Sequence, residues 1–199
     1  MCRGKHLRAA LTLTLVMFLL LGMAYPIFVA VVSDNSFLKY QAEGSLISSN
    51  GTIIASAFIG ENFTSPYYFW PRLSSVDYNS SQGSGGSQYG IYTMEFYNQT
   101  KNYTMYLLRT GYVPAGTRVP ANGVEPSASG FDPDISVNFA LFQIPRISHF
   151  THLSPLLLRN LVSRYTVEPV LDFIGNPYVN VVLLDISLHS LLVRDGIIA

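Results

Sequence analysis

LTLTLVMFLLLGMAYPIFVAVV, residues 11–32, decides the architecture. Around it, Ala9 to Ser33 form 25 residues without Asp, Glu, Lys, Arg or His. As a helix that run is roughly 37 Å long, and a bilayer core of about 30 Å needs about 20 residues. The stretch is long enough to span a membrane with some tilt. A cleaved signal peptide is the alternative; its apolar region is usually shorter, but the small residues between Gly22 and Ala30 leave it open. Gly22 and Pro26 weaken a helix in water. They are tolerated in a membrane helix where local adjustment satisfies the freed carbonyl.

Arg3, Lys5 and Arg8 precede the span, and Asp34 follows it. The positive-inside rule then keeps residues 1–8 in the cytoplasm, and the rest of the chain emerges on the far side. The organisation expected is a basic N-terminus (1–8), a transmembrane helix (9–33) and an extracytoplasmic domain (34–199). The single Cys, Cys2, falls on the reducing side, and one cysteine excludes a disulfide framework.

Residues 34–199 carry nine Lys and Arg against twelve Asp and Glu. A net of −3 lacks the basic face of a nucleic-acid binder. Charged residues are 12% of the whole chain, about half the usual share. Tyr, Ser and Asn stand where Glu and Lys usually stand. One reading is an acidic exterior, where carboxylates solubilise poorly because they are partly protonated. Asn-x-Ser/Thr acceptors occur at Asn50, Asn62, Asn79, Asn98 and Asn102. With 11 Asn and 32 Ser plus Thr in 199 residues, chance gives about two. The excess supports an exported domain; the triplets read either as N-glycosylated surface loops or as accidents of a Ser- and Asn-rich composition.

The fold class expected is α+β, a single mixed domain after one helix. EGSLI (43–47) and GTIIASAFIG (51–60) read as strands joined at Asn50-Gly51, a strong hairpin signal. Ile53, Ala55, Ala57 and Ile59 fall on one face of the second strand. Residues 62–90 read as loop; 91–110 fit helix or strand; 113–130 read as irregular. Asp134 or Ser136 caps a helix to about Ser148, with Pro145 kinking or ending it. Ser154-Pro155 opens the next helix, to about Tyr165. YVNVVLLDISL (178–188) reads as a buried strand.

Few residues offer chemistry. His149 and His152 have helix-like metal spacing, but no nearby Glu or Cys completes a site. No hydrolase elbow is in register. SGGSQYG (84–90) is glycine-rich, and such loops can present amides to phosphates, yet it lacks the P-loop Lys. Asp132, Asp134, Gln143 and Arg146 read as one polar cluster of caps and a salt bridge. Tyr67, Tyr68, Phe69 and Trp70 beside Arg72 read as core, or else as a recognition patch.

The order of these elements carries more than any one of them. GSLI, FIGENF (58–63), YFWPRLSS (68–75), SGGSQYG, SGFDPDIS (129–136), ALFQIPRI (140–147) and FIGNPYVNVVLLDISL (173–188) follow one short span. This ordered set resembles the C-subunit family of the Kdp-type potassium-transporting ATPase, from the span to about Leu188. It departs from the family pattern at Arg72-Leu73-Ser74-Ser75, where Arg-Pro-Ser-Ala is usual. Asp134 replaces a usual His, and Gln88-Tyr89-Gly90 a usual Asn-Leu-Gly. The resemblance implies a non-catalytic accessory subunit of a high-affinity, ATP-driven potassium uptake pump. Its implied partners are a channel-like potassium-binding subunit, a catalytic P-type ATPase subunit and membrane lipid, with no nucleic acid. It also implies a role in ATP binding, with Ser84, Gly85, Gly86, Ser87 and Gln143 at the positions of the proposed nucleotide contacts. Charge-based topology argues against direct contact, because ATP is used on the opposite side. An anchored, glycosylated binding module is the alternative function, and an anchored hydrolase a further one.

Overall fold

The computed structural model describes residues 3–49, 51–169 and 174–198. The chain divides into two compact units, residues 1–46 and 47–199.

The first unit is dominated by one long apolar helix, Gly4–Ser33, whose side chains have no protein cover. It starts as α1 (Arg3–Met17), widens into a π-helical segment (Phe18–Ala24) and resumes as α2 (Tyr25–Ser33). The cause lies in Pro26. It has no N–H to give, and its ring would clash with the carbonyl four residues back, that of Gly22. A wider turn relieves this, and Tyr25 N–H donates five residues back, to Leu20 O. A short helix, α3 (Lys39–Ala42), follows. Lys39 Nζ lies 3.5 Å from Asp34 and 3.8 Å from Glu43.

The second unit mixes helix and strand, as the sequence led us to expect. β1 (Leu46–Ser49) and β2 (Thr52–Ser56) pair as the expected hairpin. Asn50 lies outside the described residues. β2 is shorter than its apolar run. Ser56 Oγ accepts from Phe58 N–H (3.2 Å), which turns the chain, and Ser56 bridges back to Ile59. Ile53 and Ile54 are both exposed, so the strand has no single inner face.

The loop from 62 to 90 contains one 3-10 turn, Ser80–Gln82. Residues 94–110 resolve as helix, α4 (Met94–Thr110), because Thr93 Oγ1 caps it by accepting from Phe96 N–H. The irregular stretch after it holds one short turn of helix, α5 (Ala121–Val124).

Of the two caps expected for the next helix, Ser136 is the one used: Asp134–Ser136 is a short strand, β3, and α6 (Val137–Thr151) begins after it. Two further expectations are corrected. Pro145 neither ends nor shortens α6, which runs on to Thr151. Ile144 and Ile147 on either side of it are buried, and that packing outweighs one lost hydrogen bond. α7 (Pro155–Arg164) has the expected Ser154 cap. Most of the final apolar run is helix. Only Tyr178–Asn180 form a strand, β5, and α8 (Val181–Arg194) follows at once. Asn180 Oδ1 caps it by accepting from Leu183 N–H. Val181, Leu184, Leu188 and Leu192 are fully buried at helical spacing. Val182 and Asp185 widen the inner face, which is why the run looks continuously apolar.

β5 pairs antiparallel with β3, Ile135 opposite Val179, and with β4 (Thr166–Val167) on its other edge. α6 and α8 pack against this small sheet, and α7 packs on those two helices. Phe139, Ile144, Ile147, Leu158 and Leu184 are core, joined by Phe69 and Trp70.

Candidate functional site

Two polar assemblies hold the second unit together, and the family-like stretches meet in them. The first is buried. Residues 68–70 run past α6 and α8 and are held by side chains at each step. Arg146 Nη2 donates to Tyr68 O at 2.6 Å and to Gln143 Oε1 at 2.9 Å. Asp185 Oδ1 accepts from Phe69 N–H at 2.9 Å. Gln143 reads both backbone groups of Trp70: Oε1 accepts from its N–H (2.7 Å), and Nε2 donates to its carbonyl (3.0 Å). The Arg146 guanidinium lies 3.4 Å from the Trp70 ring centroid, a cation–π contact inside the fold. Tyr68 Oη meets His189 Nδ1 at 2.7 Å. Among the aromatic run, Phe69 and Trp70 are core, in agreement with the sequence reading, and Tyr67 and Tyr68 pack against it.

Burial dominates the electrostatics here. It pulls Arg146 down to about 9, while Asp185, Tyr103 and Tyr106 hold it up, so the guanidinium stays charged at neutral pH. Burial pushes Asp185 well above the usual carboxylate range, against the Phe69 N–H bond and the Arg146 charge. Tyr103, covered in the same region, is pushed up to about 12.

The second assembly lies nearer the surface. Arg72 Nη1 meets Asp132 Oδ2 at 3.1 Å, both partly exposed, and Nη2 reaches Pro126 O. Tyr78 Oη donates to Arg72 O at 2.7 Å. The glycine loop lies on residues 127–130. Gly85 N–H and Ser84 Oγ both donate to Ser129 O, at 2.9 Å. A Cβ on Gly86 would sit 2.9 Å from Ala128 O. Gly130 has φ +76°, and a Cβ there would meet Val76 at 2.5 Å and Gly85 O at 2.7 Å. These glycines are needed for backbone-to-backbone packing. Gly60 N–H donates to Phe131 O at 2.7 Å and brings the FIGENF stretch to the same place.

The single polar cluster expected from sequence is therefore two. Asp132 pairs with Arg72; Gln143 and Arg146 turn the other way, to residues 68–70 and Asp185. Asp134 stays near Asp132, and burial plus that neighbour raise it to about 6, with Asn180 opposing. Of the five residues implied for nucleotide, Ser84 to Ser87 lie together against residues 127–130, and Gln143 is placed in the buried assembly. Ser84 and Gly85 bond Ser129. Gly86 and Ser87 line an open groove with Arg72, Gln88 and Phe96. Gln143 is buried, its amide shared by Trp70 and Arg146. His149 stacks on Tyr112 at 4.1 Å, and His152 is the left-handed C-cap of α6. Among the described residues no group of three or more His, Cys, Asp or Glu is placed to hold a metal. The residues missed by the sequence reading are Asp185 and His189. A lone carboxylate inside VVLLDISL was the available signal, since a buried acid needs partners.

A family model described as K+-transporting ATPase, c chain (KdpC), matches residues 7–190. The chain belongs to the KdpC family. It is 37% identical over 190 residues to the potassium-transporting ATPase KdpC subunit of Escherichia coli strain SE11, covering 94% of this chain and 98% of that one. It is 36% identical over 192 residues to the protein of the same name from Ralstonia nicotianae, covering 95% and 93%. For the one from Caldanaerobacter subterraneus subsp. tengcongensis the values are 34% over 185 residues, 93% and 95%. KdpC membership accounts for the ordered stretches, because YFWPRLSS, ALFQIPRI and the final run are those that interlock in the buried centre.

Proposed function

We propose that this KdpC chain is a single-span, non-catalytic subunit of an ATP-driven potassium uptake pump. Its N-terminus lies in the cytoplasm and its α+β domain outside. The observation that carries the reading is the apolar helix Gly4–Ser33, wholly exposed in the isolated chain and preceded by basic residues. Such a surface requires lipid and protein neighbours. Relatives matched along nearly the whole chain are named as subunits of a potassium-transporting ATPase.

In this assembly the span and outer domain pack on a channel-like potassium-binding subunit. The rigid buried centre lets the domain act as one body. It favours one conformation of the complex, and ATP affinity of the P-type ATPase subunit follows by linkage. The glycine loop and Gln143 then support ATP turnover through the shape of the domain, without touching nucleotide.

Affinity purification of the tagged full chain from its own membranes in mild detergent tests this. Co-recovery of a P-type ATPase and a channel-like subunit is expected. Recovery alone would favour a free-standing anchored binding module. A second arm compares ATP half-saturation of the pump with and without this subunit; an unchanged value would remove the linkage role.

A further inference from the structure

The acceptor triplets are not absorbed by a pump-subunit role, and their positions are informative. Asn62, Asn79, Asn98 and Asn102 are all exposed. They fall in two kinds of setting. Asn98 and Asn102 sit one turn apart on α4, and their hydroxyl residues are tied into the helix. Thr100 Oγ1 donates to Phe96 O (2.9 Å) and Thr104 Oγ1 to Thr100 O (2.7 Å). Asn62 and Asn79 sit in loops. Asp77 and Tyr78, both left-handed (φ 49° and 55°), turn the chain over Ser74 Oγ, which accepts from Val76 and Tyr78 N–H. Asn79 is presented at the end of that turn, its Oδ1 accepting from Ser81 N–H (3.1 Å) and Ser81 Oγ (2.6 Å). The side-chain Nδ2 has no hydrogen-bond partner at either Asn62 or Asn79 among the described residues. Asn62 lines a shallow cleft with Asp77, Tyr78 and Tyr103, and Asn79 directly follows Tyr78 in the chain, so both loop acceptors lie at or next to that cleft.

We infer that Asn62 and Asn79 are N-glycosylation sites and that the face they border is kept clear of the partner subunits. The inference rests on the proposed outward placement of the domain. In the transfer, the carboxamide nitrogen of Asn forms a bond to the anomeric carbon of an oligosaccharide carried on a polyprenyl phosphate or diphosphate. The anomeric carbon–oxygen bond breaks, the lipid phosphate leaves with that oxygen, and the amide gives up one proton. A glycan at each position holds a second protein surface away from the cleft, so subunit packing uses another side of the domain.

The test is peptide mapping by mass spectrometry of the full chain purified from its own membranes. Peptides containing Asn62 and Asn79 are expected to carry a sugar mass. Asn62→Gln and Asn79→Gln should each remove one such increment from the intact protein. Both side chains are exposed, so neither change threatens the fold. Recovery of either Asn only in unmodified form overturns the inference. A parallel arm separates this from a failure of topology: Tyr92→Cys in a Cys2→Ser background, labelled in intact cells with a membrane-impermeant maleimide. Tyr92 is 96% exposed. Labelling with unmodified Asn would sink the glycan inference alone; absence of labelling would sink the outward placement with it.

Discussion

Arg146 and Arg72 sit 74 residues apart and solve the same problem differently. Arg146 is 1% exposed, stacked on Trp70, bonded to a backbone carbonyl and a glutamine, and attracted to a buried acid. Arg72 meets its acid directly, at 3.1 Å, with both side chains about a quarter exposed. Direct pairing with a carboxylate alone would rank Arg72 as the stronger anchor. Burial reverses the order. Water screens and competes at Arg72, whereas any group orphaned around Arg146 has no water to turn to.

The largest effect should come from breaking the buried side. Arg146→Ala leaves Tyr68 O without its donor, takes one of the two donors from Gln143 Oε1 and removes the packing on Trp70, and should cost about 3 kcal/mol. Denaturant unfolding of the solubilised full chain reads this. A loss no greater than that of an Arg72 variant would refute the comparison. Second is Gly130→Ala. It combines a positive φ with a Cβ closer than contact to Val76 and Gly85 O, and should cost roughly 2 kcal/mol. It would also loosen the glycine loop, seen as faster amide exchange at Gly85.

A pH series sharpens the contrast next. Asp134 is raised to about 6 and Asp185 also upward, each above an unfolded value near 4. The folded state binds their protons more tightly, so both contributions are complete below about pH 4; that of Asp134 is lost as pH rises through about 6, and that of Asp185 is lost in the same direction. Melting temperature should therefore rise on going from pH 7 to 5, and Asp134→Asn should flatten the rise. A steady fall over that window would remove both this account and the reading of the low charge content as adaptation to acid. The smallest effect is expected from Arg72→Ala, about 1 kcal/mol or less and diminished by salt.

Much of this contrast was legible in the residues. The hairpin, the Ser154 cap, the core role of Phe69 and Trp70 and the membrane-length helix all rest on local rules, so local sequence carried them. What was misread depends on tertiary company. VVLLDISL has the continuous apolarity of a buried strand because α8 is buried on a broad face; only the cap at Asn180 and the i, i+3, i+4 spacing of Val181, Leu184, Asp185 and Leu188 distinguish it. Pro145 ends a helix in isolation, but here the flanking Ile144 and Arg146 are fixed by the core. Gln143 and Arg146 looked like partners of Asp132 because only chain proximity was visible. Their true surroundings, residues 68–70 and Asp185, lie 39 to 78 residues away.

The π-helical segment Phe18–Ala24 has a consequence for any reading of the span as a single cylinder. Backbone bonds reaching five residues back put more residues into each turn than four-back bonds do. The azimuth of every side chain beyond Tyr25 is thereby shifted relative to those before Met17. One helical wheel drawn through residues 9–33 misplaces the half beyond Tyr25. The two halves of the apolar helix address different directions around its axis, so they need not face the same neighbour.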